Sequence, residues 1–371
     1  MHIEADVAVI GGGLVGISIA YGLALQRIDS VVIDEGDSAV RASRGNFGLV
    51  WVQGKGLALP AYTGWAIRAA ELWPDLAQRL GSRTGIDVSL DQSGGLFFCL
   101  TPDAMEQRAA DLQTVKEQYG APYHFEMLDN KELKKLVPEV GDDVAGASYS
   151  RYDGHANPIR LLQALHRAYV DLGGRYAPGE GVIGLEQRGG KFVVRTQTRT
   201  ILATRIVLSA GLGNAGLGDL LGKAVPVKPI RGQIIVTERV RPIFTKAMEQ
   251  VRQTDNGSIM IGSTWEDVGF DTATTMEANR QMAADAVRLF PILANIRAVR
   301  SWSALRIMSP DASPIYEELV PGAFLVTCHS GVSLAAIHSF EVAKWIADGH
   351  IPGSMAPFSL SRFDTSATLA P

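Results

Sequence analysis

Cysteine is scarce in this sequence, with two residues among 371, Cys99 and Cys328. Two thiols are too few for a disulfide framework or for the ligand set of an iron–sulfur or structural zinc site. Each cysteine lies inside an apolar run, where a free thiol packs as a small apolar side chain. We therefore expect two buried free thiols and no metal site, which fits a protein of the reducing cytoplasm.

Long apolar runs and an excess of positive charge are also missing. No stretch of about 18 or more apolar residues occurs, so no membrane span is expected. The first residues lack a basic region and lead directly into a strand pattern, which is unlike a signal peptide. The formal net charge of −4 gives no sign of a nucleic-acid-binding surface. We expect a cytoplasmic protein, and peripheral attachment to the inner membrane through a partner stays open.

The first forty residues carry the strongest motif. Residues 5–10 are predicted as a buried strand, 14–25 as an apolar helix and 30–34 as a second strand. The glycines of the intervening turn, Gly11, Gly13 and Gly16, fit the dinucleotide fingerprint G-x-G-x-x-G. They allow a tight turn, close approach of a pyrophosphate and close packing of helix on sheet.

An acidic residue completes this motif. Asp34 ends the second strand, where a carboxylate accepts hydrogen bonds from ribose hydroxyls. Glu35 is the alternative if the strand register shifts by one residue. The fingerprint indicates a dinucleotide without separating FAD from NAD.

The loop after the second strand favours FAD. Residues 41–48 are polar and punctuated by glycine, and they lead into Val50-Trp51-Val52-Gln53-Gly54. A nicotinamide enzyme usually continues here with another strand and helix. A flavoprotein instead wraps such a loop around the pyrophosphate and the isoalloxazine ring.

The rest of the chain suggests two domains, because 371 residues exceed the roughly 100–200 of a single domain. The pattern predicts helices near 57–80, 103–119, 130–137, 159–172, 276–289 and 332–347. Residues 86–100 are predicted as a β-hairpin that turns at Ser93-Gly94-Gly95, and 175–208 and 225–264 are rich in strands. This order predicts a nucleotide-binding domain interrupted by an antiparallel one.

Motifs along nearly the whole chain resemble the D-amino-acid oxidase-like (DAO) flavoproteins. Beyond the fingerprint they are Asp153 to Pro158, Ala210-Gly211, Val227 to Gln233, Ile261 to Thr264, Arg306 to Asp311 and His329-Ser330-Gly331. Within the family, the chain looks most like the β subunits of opine oxidase, D-hydroxyproline dehydrogenase and hydrogen cyanide synthase, and like glycine and sarcosine oxidases.

The resemblance implies an α/β fold. A Rossmann-like FAD-binding domain, residues 1–80, 146–222 and 300–371, is interleaved with an antiparallel-sheet α+β substrate domain. The substrate domain is assigned residues 81–145 and 223–299.

The resemblance also implies which residues hold FAD. Those expected around the ADP portion are Gly11, Gly13, Leu14, Val15, Gly16, Asp34 and Glu35. Those expected around the pyrophosphate and flavin are Ser43, Arg44, Asn46, Gly48, Ala210 and Gly211, and Val182 is expected to offer its backbone to the adenine. Gly331, Val332 and Ser333 are expected to open the last helix toward flavin N1 and O2, where negative charge accumulates on reduction.

For the substrate, the resemblance points to Arg306. A guanidinium can fork onto a carboxylate through two parallel charged hydrogen bonds, and an ion pair at the surface or between domains is the alternative role. His329 is a candidate acid or base near the flavin, with a structural histidine as the alternative. Trp51 and Trp265 are candidates for lining the substrate pocket.

Two departures from relatives affect the chemistry. Some sarcosine oxidases attach FAD through a cysteine, but none lies between Cys99 and Cys328, so FAD is expected to bind non-covalently. Met260 stands where monomeric sarcosine oxidase has a lysine that promotes reaction with oxygen. This difference favours a dehydrogenase that uses another electron acceptor.

The resulting hypothesis is FAD-dependent oxidation of the C–N bond of an amino or imino acid of the opine, D-hydroxyproline, sarcosine or glycine type. Hydride transfer to flavin N5 gives an imine that hydrolyses. The chain is expected to be the catalytic β subunit of a hetero-oligomer, with a second flavin (FMN) or an iron–sulfur centre only in the partner complex. The alternatives are a stand-alone oxidase that uses oxygen and a NAD-dependent dehydrogenase.

Overall fold

The computed structural model of this chain describes residues 2–36, 41–120 and 123–364. Its strands, in chain order, are β1 His2–Ile10, β2 Ser30–Asp34, β3 Leu49–Val50, β4 Gly95–Cys99, β5 Glu126–Asp129, β6 Gly146–Ser150, β7 Gly154–His155, β8 Arg175–Pro178, β9 Val182–Arg188, β10 Lys191–Thr196, β11 Thr200–Leu208, β12 Lys228–Arg239, β13 Ala247–Met248, β14 Val251–Gln253, β15 Ser258–Gly262, β16 Ala298–Met308, β17 Ile315–Val320 and β18 Ala323–Thr327. Its helices are α1 Leu14–Leu25, α2 Ala61–Thr84, α3 Pro102–Tyr119, α4 Asn130–Leu136, α5 Pro158–Asp171, α6 Asn214–Asp219, α7 Met276–Leu289, α8 Ala335–Ile337 and α9 Ala343–Asp348.

The largest sheet has a parallel centre. Its order is β17-β18-β11-β1-β2-β8, and β1 pairs in parallel with both β2 and β11. Val7, Ala8 and Val9 of β1 are fully buried because layers cover both faces of the sheet. α1, α2 and α5 pack on one face, while β9 and β10 contribute to the core on the other. This arrangement is typical of a Rossmann-like nucleotide-binding layer.

Two further sheets of four strands lie outside this layer. One has the order β14-β15-β12-β16 and is antiparallel throughout. The other has the order β13-β4-β6-β5 and is antiparallel apart from the β13–β4 pair. They share one apolar core with α7, which includes Phe98, Ile259 and Phe290. The predicted fold, a Rossmann-like layer combined with antiparallel sheets, is confirmed.

The predicted hairpin over 86–100 is wrong. Only Gly95–Cys99 of this segment forms a strand, and it pairs with β6 rather than with the residues just before it. Asp91 instead bridges His155. A Cβ on Gly95 would lie 2.7 Å from the Trp51 ring. Gly95 therefore serves close packing against a distant segment.

The last helix begins later than predicted and is irregular. Residues 331–334 form a turn, and α8 is followed by a π-helical turn, His338–Val342, that runs into α9. The turn matters because it carries the residues expected at the flavin.

The division into two domains stays a prediction, and residues 1, 37–40, 121–122 and 365–371 of the assigned segments lie outside the described part. The pairings place β6 and β16 in the antiparallel sheets, although the sequence assigns 146–150 and 300–308 to the cofactor domain. Within the described ranges, none of the helices has both the length and the apolar character needed to cross a bilayer.

Candidate active site

The glycine turn is packed too tightly for any larger residue. Gly11 has a φ of +107°, and a Cβ there would lie 2.6 Å from the carbonyl oxygen of Ser209. A Cβ on Gly16 would lie 1.9 Å from the carbonyl oxygen of Gly11. The turn leads into α1, which begins at Leu14 with no side-chain cap from Gly13. The backbone N–H groups in the first turn of such a helix favour the binding of an anion.

Asp34, and not Glu35, faces this turn. The Asp34 carboxylate accepts hydrogen bonds from the backbone N–H of Gly12 at 2.6 Å and of Gly36 at 2.8 Å. Glu35 is exposed and forms an ion pair with Arg41. The alternative register considered for the sequence therefore does not apply at this position.

The loop after β2 lies over the start of α1. Ser43 accepts a hydrogen bond from the N–H of Leu14 at 2.9 Å, and Asn46 accepts one from Gly48 at 2.7 Å. A Cβ on Gly48 would lie 2.4 Å from the carbonyl oxygen of Ala156. Arg44 is exposed.

Three more of the expected cofactor residues lie near the ends of β2 and β11. Val182 is half-buried at the start of β9, two residues after Glu180, whose N–H donates to the carbonyl of Asp34 at 2.8 Å. Ala210 follows β11 and donates its N–H to Asn214 at 2.8 Å. Gly211 comes next, and a Cβ added to it would lie 3.2 Å from the side chain of Ile307.

The turn at 331–334 approaches α1. A Cβ added to Gly331 would lie 3.6 Å from the Cβ of Leu14 and 3.7 Å from the Cγ2 of Val15. Ser333 donates to the carbonyl of Leu49 at 3.0 Å and accepts from the N–H of Trp51 at 3.1 Å. The indole of Trp73 donates to the carbonyls of Val332 and Ser333, both at 3.2 Å. The turn is thus fixed between α1 and the loop that carries Trp51.

These residues fit a bound FAD. The glycine turn forms a cradle that a Cβ would fill, an acidic side chain ends β2, and the first turn of α1 carries no acidic residue that would repel phosphates. A cavity of about 330 Å³ continues from the loop and the turn at 331–334 into the antiparallel sheets. Ala42, Asn46, Val332 and Ser333 are among its lining residues and come from the loop and the turn expected at the isoalloxazine ring.

The cavity brings together all four residues predicted for substrate binding and catalysis. Trp51, Trp265, Arg306 and His329 line it, although they come from four separate segments of the chain. Trp51 is buried, whereas Trp265 is 58% exposed and stands at the opening. The rings of Trp265 and His329 have centroids 5.9 Å apart.

Arg306 lies on β16, and its guanidinium reaches across β12. It donates to the carbonyl of Thr264 at 2.8 Å and to the hydroxyl of Ser263, and it stacks over Trp265 at 4.4 Å. A Cβ on Gly232 would lie 2.3 Å from the guanidinium, so the absence of a side chain there makes room for it. Burial lowers the pKa of Arg306 to about 10, which still leaves it charged at neutral pH.

Arg306 has no ion-pair partner among the described residues. The ion-pair role instead describes Arg231, which pairs with Glu266 and Asp271. His329 has its pKa lowered to about 3 by burial and by the charges of Lys55 and Arg306, so its imidazole is neutral.

Comparison with known proteins agrees with this geometry. Residues 6–348 match the DAO family, described as FAD dependent oxidoreductase. The chain belongs to this family. Membership confirms the predicted FAD cofactor and the oxidoreductase class, and it removes the NAD-dependent alternative.

Several relatives in the family align along nearly their whole length. The B subunit of opine oxidase from Agrobacterium tumefaciens strain Ach5 is 41% identical over 363 residues, covering 97% of this chain and 98% of that protein. The HcnC subunit of hydrogen cyanide synthase from Pseudomonas aeruginosa is 28% identical, covering 98% and 97%. The crystal structure of glycine oxidase from Geobacillus kaustophilus superposes with a TM-score of 0.89 at 25% identity, covering 97% and 99%.

Several polar residues at this cavity were not indicated by any sequence pattern. Lys55, Arg108 and Glu249 line it, and none belongs to a motif with a recognisable spacing. Asp153 lies behind it, fully buried, and accepts hydrogen bonds from the N–H groups of Val52 and Gln53. The one available signal was the placement of Lys55 between two glycines in the flavin loop.

Proposed function

We propose that the chain oxidises the C–N bond of an amino or imino acid whose carboxylate binds Arg306. The observation that carries this proposal is a charged guanidinium at the cavity, held by Ser263 and Thr264 without an acidic partner among the described residues. A carboxylate matches its fork of donors, and the names of the relatives, opine oxidase and glycine oxidase, indicate amino-acid substrates.

The division of labour follows from the positions of the side chains. FAD, when bound, would accept the hydride from the substrate carbon at flavin N5. Arg306 would fix the carboxylate, and Trp51 and Trp265 would bound the space in which that carbon lies. The substrate amine has to be uncharged when its carbon loses the hydride. The imidazole of His329 is neutral and can accept a hydrogen bond from the amine, but its pKa of about 3 makes it too weak a base to hold the amine proton, which would pass to water.

The imine formed would then hydrolyse in water. The hydride, which carries both electrons of the Cα–H bond, would pass to the flavin, and the amine proton would pass to water. Substrates of the opine, D-hydroxyproline, sarcosine and glycine types all satisfy this scheme.

We also infer that the chain acts as the catalytic β subunit of a hetero-oligomer. Two relatives are named as subunits, the B subunit of opine oxidase and the HcnC subunit of hydrogen cyanide synthase. The segment from Trp265 to Met276 supports association, because Val268, Phe270 and Met276 are 40%, 72% and 83% exposed. Any second flavin or iron–sulfur centre would belong to the partner.

The second candidate is a stand-alone oxidase that uses oxygen, which the close superposition on a glycine oxidase favours. Met260 favours the dehydrogenase. It is buried, with its sulfur 3.8 Å from the guanidinium of Arg252, so no lysine ammonium is present at this position.

The test of the carboxylate site is Arg306→Ala, with Arg306→Lys as the conservative variant. Loss of a charge-assisted fork is expected to lower kcat/KM for carboxylated amines by about 10- to 100-fold or more, and lysine should restore part of it. Anaerobic bleaching of the flavin by a panel of amino acids and opines measures this directly. Arg280→Ala, an exposed arginine on α7, is the control. Unchanged kinetics for Arg306→Ala would refute the assignment.

The subunit role is tested by purifying the FAD-loaded chain alone. We expect low turnover with an artificial electron acceptor and association on addition of the partner subunit. A monomer with full turnover on oxygen would instead support the stand-alone oxidase.

A further inference from the structure

Lys55 places a second cation in the cavity, apart from Arg306. The ammonium group donates to the hydroxyl of Ser330 at 3.1 Å and lies 5.5 Å from the centroid of the Tyr62 ring. The backbone carbonyl of Lys55 accepts from the hydroxyl of Thr63 at 2.9 Å, which ties the loop to α2. The side chain is therefore held in the cavity by its backbone and by one weak polar contact.

The ammonium group lacks a counter-ion. None of the described acidic side chains forms an ion pair with Lys55, and Ser330 is the one hydroxyl that accepts a hydrogen bond from it. An ammonium has three N–H donors, so two remain for a ligand. Burial lowers the pKa of Lys55, which shows the energetic penalty that an incoming anion would relieve.

The other cation nearby, Arg108, is already engaged. It donates to the hydroxyl of Ser148 at 3.0 Å and to the side-chain oxygen of Gln53 at 2.8 Å, and it stacks over Phe97 at 4.1 Å. Lys55 is thus the better candidate for binding an anion.

A series of contacts links the two available cations. Arg306 stacks over Trp265, Trp265 neighbours His329, and Ser330, next in the chain, contacts Lys55. The charges of both Arg306 and Lys55 lower the pKa of His329, so both cations lie near the imidazole.

A carboxylate lies among these cations. Glu249 lines the same cavity, and the charges of Arg108, Arg306 and Lys55 oppose the rise in its pKa that burial causes. Its carboxylate forms no hydrogen bond or ion pair with another described side chain. The cavity therefore brings together two cations, Arg306 and Lys55, and a carboxyl group, Glu249, none of which forms an ion pair with another described side chain.

We propose that Lys55 forms a subsite for a second carboxylate, so that the substrate is an N-carboxyalkyl amino acid. Such a molecule carries two carboxylates, which complement Arg306 and Lys55, and an ammonium, which complements the carboxyl group of Glu249 in the same cavity. This inference rests on the proposed function and narrows its substrate class: glycine, sarcosine and D-hydroxyproline carry one carboxylate each and leave Lys55 without a partner.

Two non-oxidisable acids test the subsite by binding alone. Diglycolate has two carboxylates joined through an ether oxygen, and methoxyacetate is the same molecule without the second carboxylate. Each is titrated into the FAD-loaded chain, and perturbation of the flavin absorbance gives its dissociation constant. We expect diglycolate to bind the unmodified chain about 10- to 100-fold more tightly, as a charge-assisted hydrogen bond to a buried ammonium implies.

The variants then assign the preference to one side chain. Lys55→Gln should reduce the ratio of the two dissociation constants to about one to three, and Lys55→Arg should keep most of it. Lys344→Gln removes an exposed lysine on α9 and should leave the ratio as in the unmodified chain. Equal binding of both acids to the unmodified chain, or a preference that survives Lys55→Gln, would overturn the proposal.

Failure of the proposed function would give results different from failure of the Lys55 subsite. If Arg306→Ala left binding of both acids unchanged, the first carboxylate site would be wrong. If diglycolate were preferred through Lys55 but no amino acid or opine bleached the flavin, the anion subsite would stand and the oxidation would not.

Discussion

Replacement of Asp153 by asparagine should change the pH dependence of stability. One carboxylate oxygen accepts from the N–H groups of Val52 and Gln53 at 2.5 and 3.3 Å, and the other has no hydrogen-bond partner. Burial raises the pKa of this group from 3.8 to about 7, although the two amides oppose the shift. Asparagine keeps the acceptor and the shape but cannot ionise.

The sign of the effect follows from the raised pKa. The folded state holds the proton more tightly than the unfolded chain, so Asp153 destabilises the fold progressively as pH rises from about 4 to about 7. With about 1.36 kcal/mol per pKa unit, the loss between pH 5 and pH 8 is about 2.5 kcal/mol. With an unfolding entropy of about 2.1 cal/mol/K per residue, this loss of stability corresponds to a fall in melting temperature of about 3 °C for a chain of this length.

Thermal unfolding of the FAD-loaded protein, followed by circular dichroism at a fixed scan rate, measures this shift. At each pH the melting temperature of Asp153→Asn is subtracted from that of the unmodified chain. This difference should fall by about 3 °C from pH 5 to pH 8. Asp143→Asn, at an exposed site, is the matched control. A difference between Asp153→Asn and the unmodified chain that stays constant with pH would refute the reasoning, because it would mean that Asp153 titrates alike in both states.

Two glycine substitutions test the two halves of the site. Gly16→Ala puts a Cβ 1.9 Å from a backbone carbonyl, so the chain should purify with little or no FAD, measured by flavin absorbance per protein. Gly232→Ala puts a Cβ 2.3 Å from the Arg306 guanidinium and should weaken methoxyacetate binding by about tenfold while FAD content stays normal. Gly216→Ala, on α6 with no atom within 4 Å of the added Cβ, is the control for both. Full FAD content in Gly16→Ala, or unchanged binding in Gly232→Ala, would contradict the corresponding assignment.

The elements that the sequence predicts best are those governed by local periodicity. α1, β2 and α7 occupy the residues predicted for them, because strong apolar patterns end at clear boundaries. The hairpin near Gly94 was predicted wrongly because β4 pairs with β6, about fifty residues farther along the chain. A glycine pair is consistent with a turn or with close packing, and only the distant Trp51 ring decides between them.

The residues of the site also fall into those that a sequence pattern predicts and those that only the folded structure brings together. The fingerprint predicts the dinucleotide-binding end because its glycines and acidic residue follow a fixed local spacing, and the resemblance to a known family points to Arg306 and His329. Lys55 and Glu249 are almost two hundred residues apart and share no motif. Their proximity depends on how the flavin loop and the segment between β13 and β14 pack together.

The class of protein follows from the sequence alone: a nucleotide-binding turn, FAD as the cofactor and an interrupted Rossmann-like layer. These properties depend on backbone conformations and apolar periodicities that consecutive residues specify. Which charges surround the cavity, and which of them lack partners, emerged with the folded chain. Pairing and burial arise between segments far apart in the chain, so the grouping of Arg306, Glu249 and Lys55 in one cavity becomes visible only after folding brings them together.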